Sequence, residues 1–259
     1  MAADSTATLR VVSWNVNGIR ARYQEFVDFL ARERPDVMAL QEIKATAEQV
    51  PASLTDLAEY ESYWHGGTGG YSGVSLHVKK GRFAARPKFS PPRVDFENRM
   101  LCAEIGDTIF TSLYLPNGGK DYDAKIRFLG ELAGWVDEIV RSGRQLVLVG
   151  DMNVTRGDLD VHPSQKKADV IGQRPDERAL YESVLAKGLV DVARVLHPDD
   201  ARLFTWWPYW KAARERNLGW RIDHALTTEG YAARATGFEV VRAYGSSDHA
   251  PIVTTFRDP

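Results

Sequence analysis

"VVSWNVNG", Val11–Gly18, decides how this chain is read. A β-branched, apolar run predicts a buried strand, and the run then breaks on Asn15, an apolar residue and Asn17. The same pattern returns in "LVLVGDMNV", Leu146–Val154, where Asp151 and Asn153 close the run. Residues two apart on a strand point the same way, so each pair is expected on one face. Each stretch leads on to a second strand tipped by an acid, which suggests two similar halves packed face to face.

Further strand signals are short, β-branched and bounded by Gly, Asn or Pro. They are Leu9–Trp14, Asp36–Glu42, Gly73–Lys79, Met100–Gly106, Thr108–Leu115, Gln145–Asp151, Phe204–Trp207, Trp220–Thr227, Ala233–Val241 and Ala250–Phe256. Helical periodicity marks Ala21–Arg34, Asp123–Ser142 and Pro175–Gly188. Strands outnumber helices and the two are interspersed, which predicts an α/β fold of sheets flanked by helices. "HGGTGGYSG", His65–Gly73, reads as a hairpin loop. No Pro/Ser/Gly linker divides the chain, so a single domain is expected over residues 9–259, behind a flexible N-terminus at 1–8.

Composition excludes several classes. Apolar residues make up 44% and charged residues 26% of 259, an ordinary globular mix. A net charge of −2 gives no overall basic surface, so any nucleic-acid contact must be local. Cys102 is the only cysteine, lies in an apolar run and reads as an inert strand residue. No basic n-region precedes an apolar stretch at the start, and no run approaches the ~18 residues of a membrane span. A cytoplasmic protein without a membrane partner is expected.

The strand tips carry the chemistry. Glu42, Asp151, Asp223 and Asp248 stand with Asn15, Asn17 and Asn153 at the ends of apolar strands. Any one acid there would pass as a turn former or helix cap; the group is harder to dismiss. Oxygen donors with little sulfur or imidazole suit a hard cation, Mg²⁺ with Mn²⁺ as substitute. There is no "HExxH", "CxxC", P-loop or "GxGxxG". Carboxylates around such a cation, with one His, are equipment for phosphoester hydrolysis. That His lies in "YGSSDHAP", Tyr244–Pro251, where Asp248 and His249 are adjacent and can serve one site only if the chain bends.

At these residues the chain resembles the exonuclease III type of apurinic/apyrimidinic (AP) endonuclease, within the endonuclease/exonuclease/phosphatase superfamily. The resemblance rests on "SWNVNGIRAR", "PDVMALQEIK", "YSGV", "YLPNG", "GDMNV…DLD", "GWRID" and "GSSDHAP", in family order from residue 13 to 251. It implies a four-layered α/β sandwich, two packed mixed β-sheets flanked by helices, with the site at one edge. It implies Glu42 as principal Mg²⁺ ligand, with Asn15, Asn17, Asp248, Asp151 and Asn153 at or beside the metal. Asp151 would activate water or protonate the leaving oxygen, Asn153 and Tyr114 would hold the phosphate, and His249, oriented by Asp223, would contact a phosphate oxygen. An amide at Asn17, where some members carry Asp, makes the metal site less anionic. His224 is expected to face away from the site.

"FTWWPYWKAARERNLGWR", Phe204–Arg221, interleaves four of the seven Trp residues with Lys and Arg, a pattern suited to nucleic acid. Trp14, Trp64, Trp135 and Trp207 are assigned to the core. By resemblance, Trp206, Trp220 and Ile222 line a pocket for a flipped-out abasic sugar, which unstacks at low cost. Trp210 would wedge into the minor groove. Arg20, Lys44, Tyr71, Asn117 and Lys120 match or neighbour backbone contacts, and "QKK", Gln165–Lys167, is a further candidate clamp. The implied function is a Mg²⁺-dependent DNA-repair nuclease. It would cut 5′ to an abasic site in double-stranded DNA, act also at 3′ ends as exonuclease and 3′-phosphodiesterase, and work as a monomer. Alternatives are a superfamily phosphatase acting on phosphoinositide or phospholipid, or a DNA-binding module without catalysis.

Overall fold

A computed structural model describes residues 8–258. In chain order the elements are β1 (Thr8–Asn15), α1 (Tyr23–Glu33), β2 (Val37–Gln41), α2 (Ala52–Thr55), β3 (Tyr60–His65), β4 (Val74–Lys79), β5 (Lys88–Ser90), β6 (Met100–Ile105), β7 (Thr108–Tyr114), α3 (Tyr122–Arg141), β8 (Gln145–Asp151), α4 (Pro175–Leu185), β9 (Leu189–Asp191), α5 (Val192–Leu196), β10 (Asp223–Thr228), α6 (Glu229–Ala232), β11 (Ala235–Val240) and β12 (Ile252–Arg257).

The strands form two six-stranded sheets, ordered β11-β12-β1-β2-β4-β3 and β5-β6-β7-β8-β10-β9. One plan underlies both. Within each sheet the two central strands are parallel, β1 with β2 and β7 with β8. The remaining neighbours are antiparallel. A parallel pair needs a crossover, supplied by α1 in one sheet and α3 in the other. By order and direction β1 therefore corresponds to β7, and β2 to β8. The sequence echo matched β1 with β8 instead. It reflects a shared need for polar tips, because the C-terminal ends of all four central strands open on one edge.

Apolar side chains fix the layers. Phe26, Phe29 and Leu30 of α1 recur at helical spacing and pack with Trp14 and Leu40 on the outside of the first sheet. Val11, Ala39, Phe110, Val147, Val149 and Ile252 fill the space between the sheets. Leu129 and Leu132 of α3 and Tyr181 of α4 cover the second sheet over Leu148. Asp121 caps α3, its side chain accepting the Ala124 N–H at 2.9 Å. This is the expected four-layered sandwich. Beneath the open edge the interior turns polar: Gln41 Nε2 donates to Ser112 Oγ at 3.0 Å across the sheets, and Ser13 Oγ donates to Gln41 Oε1 at 3.1 Å.

Some expectations fail. Phe204–Trp207 is not a strand; Trp206 makes single bridges to Trp220 and to His249, and Pro208 follows. "WRIDHALT" enters the sheet only at Asp223. β3, β5 and β9 lacked a periodic apolar signal because they are edge or half-exposed strands. The N-terminal tail cannot reach residue 8, since Thr8 pairs with Arg257 in β1; the rest of that segment lies outside the described residues. Cys102 is buried as expected, and burial pushes its thiol up to about 12. Among the described residues no helix is long and apolar enough to cross a membrane.

Candidate active site

The tips of the central strands, with β10 and the bend before β12, converge on one cluster. Asp151 ends β8 and lies directly opposite Asp223, which opens antiparallel β10. The bend at Ser247–His249 is built from local bonds: His249 N–H donates to Ser247 Oγ at 3.2 Å, and that hydroxyl donates to Asn15 O at 2.7 Å. It delivers His249 between the two acids. Nδ1 meets Asp223 Oδ2 at 2.9 Å, and Nε2 lies 3.9 Å from Asp151 Oδ2. Burial alone would depress His249. The charges of Asp223 and Asp151 and the Asp223 hydrogen bond reverse this and hold it up to about 10, so an imidazolium stands here at neutral pH.

Asp151 shows the opposite side of that balance. Burial raises it, His249 opposes, and the charges of Asp223 and Glu42 add to the rise, leaving it at about 7. Asn153 N–H and Asn15 Nδ2 each donate to it at 2.9 Å. Glu42 follows β2. Its Oε1 accepts from Asn15 Nδ2 at 3.1 Å, and its Oε2 lies 2.7 Å from Lys44 Nζ. Burial pushes Glu42 up, but Lys44, His249 and the Asn15 amide together outweigh it, and the carboxyl sits below its ordinary range. Asn17, Glu42, Lys44 and Asn153 all take positive φ, at 47°, 49°, 48° and 48°. Left-handed backbone costs a non-glycine residue roughly 1–2 kcal/mol, and such strain gathers at functional sites.

Glu42, Asp151 and His249 each offer an atom within 4.8 Å of the others. A protonated imidazole with Nδ1 committed to Asp223 is a donor, so the carboxylates of Glu42 and Asp151 are the atoms that fit a hard cation. The amides are differently placed from the sequence expectation. Asn17 lies past the strand end, not on its face; its N–H donates to Asn15 Oδ1 at 3.0 Å and its Oδ1 accepts from Lys44 at 2.6 Å. Asn15 presents N–H groups, not a free oxygen, to the acids. Asp248 turns to Trp206 Nε1 (3.0 Å) and Asn17 Nδ2 (2.8 Å) rather than to Glu42. Asn153 Nδ2 donates to Leu115 O at 2.9 Å and Asp151 Oδ2 at 3.2 Å. Tyr114 is buried at the end of β7, and burial with the charges of Glu42 and Asp151 keeps its phenol protonated.

Beside the cluster opens a cavity of about 340 Å³ lined by Glu42, Asn117, Asn153, Ile171, Trp206, Trp220, Ile222, Asp248 and His249. The Trp206 and Trp220 rings meet edge to face at 5.3 Å. Lys120 lies over the exposed Tyr71 ring at 5.8 Å. Arg20 is exposed, and Trp210 is 64% exposed on the loop past Trp206. Trp14, Trp135 and Trp207 are buried; Trp64 is half-buried. His224 does face away, contacting Tyr181 OH at 2.9 Å and Val154 O at 3.1 Å. Lys166 and Lys167 are exposed and do not line the cavity, though their loop runs on to Ile171, which does. Sequence reasoning missed Arg99, which is buried with its guanidinium 4.6 Å from the Tyr114 ring and 5.4 Å from that of Tyr71. Its signal was an Arg standing directly before an apolar strand.

The endonuclease/exonuclease/phosphatase family matches residues 12–249. The chain belongs to this family. Exodeoxyribonuclease III of Haemophilus influenzae is 31% identical over 269 residues, covering 96% of this chain and all of that protein. Recombination repair protein 1 of Drosophila melanogaster is 30% identical over 99% of this chain, which spans only 38% of that longer protein. The solved structure of an AP endonuclease from Archaeoglobus fulgidus superposes with a TM-score of 0.87 at 29% identity, covering 96% of this chain and 100% of that one. The resemblance to exonuclease III-type AP endonucleases is thus borne out. Within the endonuclease/exonuclease/phosphatase fold, the acidic cluster and the tryptophan-walled cavity lie side by side at the edge where the four central strands end.

Proposed function

We propose that this protein is a metal-dependent DNA-repair nuclease that hydrolyses the phosphodiester 5′ to an abasic site in duplex DNA. The observation that carries this reading is the contact between a buried acid–imidazolium cluster and a small tryptophan-walled cavity. Such a cavity suits a sugar without a base, and a base-free nucleotide leaves the stack at low cost. The same cavity would take a terminal 3′ group, giving 3′-5′ exonuclease and 3′-phosphodiesterase activity.

Glu42 and Asp151 would hold Mg²⁺ or Mn²⁺. Such a cation supplies charge neutralisation at the phosphate oxygens. The rest falls to side chains. His249, kept cationic by Asp223, donates from Nε2 to a phosphate oxygen as charge builds. Tyr114, held as a phenol, and the amide of Asn153 are further donors. Asp151, near neutrality in the metal-free protein, is suited to moving a proton, from the attacking water or onto the leaving oxygen. Water's oxygen joins phosphorus, the bond to the 3′ oxygen breaks, and a 3′-hydroxyl and a 5′-phosphate result. Arg20, Lys44 and Lys120 would meet backbone phosphates, Tyr71 and Asn117 the DNA strand, and Trp210 would enter the minor groove.

Cleavage of three labelled duplexes (abasic, nicked and blunt) across Mg²⁺ and Mn²⁺ concentrations tests the proposal. Incision 5′ to the abasic site, absent with chelator, is expected. No incision of any duplex with either metal would overturn it.

A further inference from the structure

Part of the cavity wall is made by three separate segments, each contributing one lining residue: Asn117 after β7, Asn153 after β8 and Ile171 before α4. Behind them lies a buried ion pair, Lys125 of α3 with Glu177 of α4, both 0% exposed. Lys125 Nζ donates to Asn153 O at 2.8 Å and to Asn117 O at 3.4 Å. Glu177 Oε1 accepts the N–H groups of Gly172 and Arg174. Gly172, next to Ile171, has φ +95°, and a Cβ there would meet the Trp220 ring at 2.9 Å. Its carbonyl in turn accepts from Thr155 N–H at 2.8 Å, closing the loop back onto the Asn153 segment. A Cβ on Gly118 would meet Lys125 Cδ at 3.0 Å and Ile171 Cγ2 at 3.3 Å, so these segments touch.

We infer that Lys125 and Glu177 are positioning residues that tie the three segments into one rigid cavity wall, and so set the placement of the substrate sugar against Asp151 and His249. This rests on the function proposed above. An ion pair buried between two helices is no better for stability than well-packed apolar residues of similar size. What an apolar pair cannot do is reach two carbonyls and two N–H groups on three different segments. Precise holding matters because a misplacement of about 1 Å far from the chemistry can cost on the order of 10²-fold in rate.

The test is the double variant K125M/E177Q, which removes both charges at similar volume. Hydrogen exchange is followed in segments 116–120, 152–156 and 169–174, and kcat, KM and the Mg²⁺ midpoint are measured on an abasic duplex. The expected result is exchange at least about tenfold faster in all three segments together, and kcat down about tenfold with an unchanged Mg²⁺ midpoint. Unchanged exchange in those segments overturns the tether. Faster exchange with unchanged kcat overturns the positioning role. Should the double variant fail to fold, E177Q alone is read against the same outcomes. A wild type that does not cut abasic DNA would remove the proposed function, while the exchange result would still decide the tether.

Discussion

Two sets of buried carboxylates, Asp160 with Asp191 and Asp151 with Asp223, sit in opposite electrostatic settings. Arg221 reaches both Asp160 and Asp191 with paired bonds, Nε and Nη2 to Asp160 at 2.8 and 3.0 Å, Nη1 and Nη2 to Asp191 at 3.0 and 2.7 Å. Burial would raise both acids, but Arg221, helped by His224 and, at Asp160, by Arg194, overrides it, and both sit below the usual carboxylate range, Asp191 far below. Asp223 comes two residues after Arg221 and belongs to the other group. There His249 is shared by Asp151 and Asp223 while Lys44 pairs with Glu42, and Asp151 is left at about 7. Burial beside a permanent guanidinium gives a closed structural lock. Burial with too little positive charge, as at Asp151, gives a site suited to accept a cation and move protons.

Substitutions should separate the two groups. The largest effect is expected for Asp151→Asn: turnover on an abasic duplex should fall by about 10²–10⁴-fold, measured in single-turnover assays. Its stability should not fall. A folded pKa raised to about 7 means the unfolded chain releases its proton first, so ionised Asp151 opposes folding as pH rises from about 4 to 7, and the amide removes that cost. Arg221→Met should do the reverse in kind, costing about 3–5 kcal/mol in denaturant unfolding because two buried acids lose the guanidinium they share, with only Arg194 left against Asp160. The smallest effect is in the pH dependence. The depressed acids of the lock give stability that is present above about pH 4 and lost as pH falls, and Arg221→Met should flatten that acid limb. A stable, inactive Arg221→Met and an unstable, active Asp151→Asn would break the comparison.

Much of this was legible in the sequence because apolar runs end abruptly. Glu42, Asp151, Asp223 and His249 each stand just past or at the start of such a run, and the structure brings all four together. What local pattern could not supply was direction. The spacing of Asn15 and Asn17 implied one strand face, but the left-handed turn at Asn17 undoes strand alternation. Asp248 was expected to turn to the metal; the indole of Trp206, brought in by a single bridge from a non-strand segment, holds it instead. Lys125 carried a readable sign, a cation on the apolar face of α3 beside Phe128 and Leu129, but its partners come from three distant segments.

The most direct measurement compares wild type with Glu42→Ala on an abasic duplex in Mg²⁺, with DNA affinity determined alongside. The account predicts that wild type incises 5′ to the abasic site and that the variant binds the duplex comparably without cutting it. Equal cleavage by the two proteins, or equal inertness with equal binding, would contradict it.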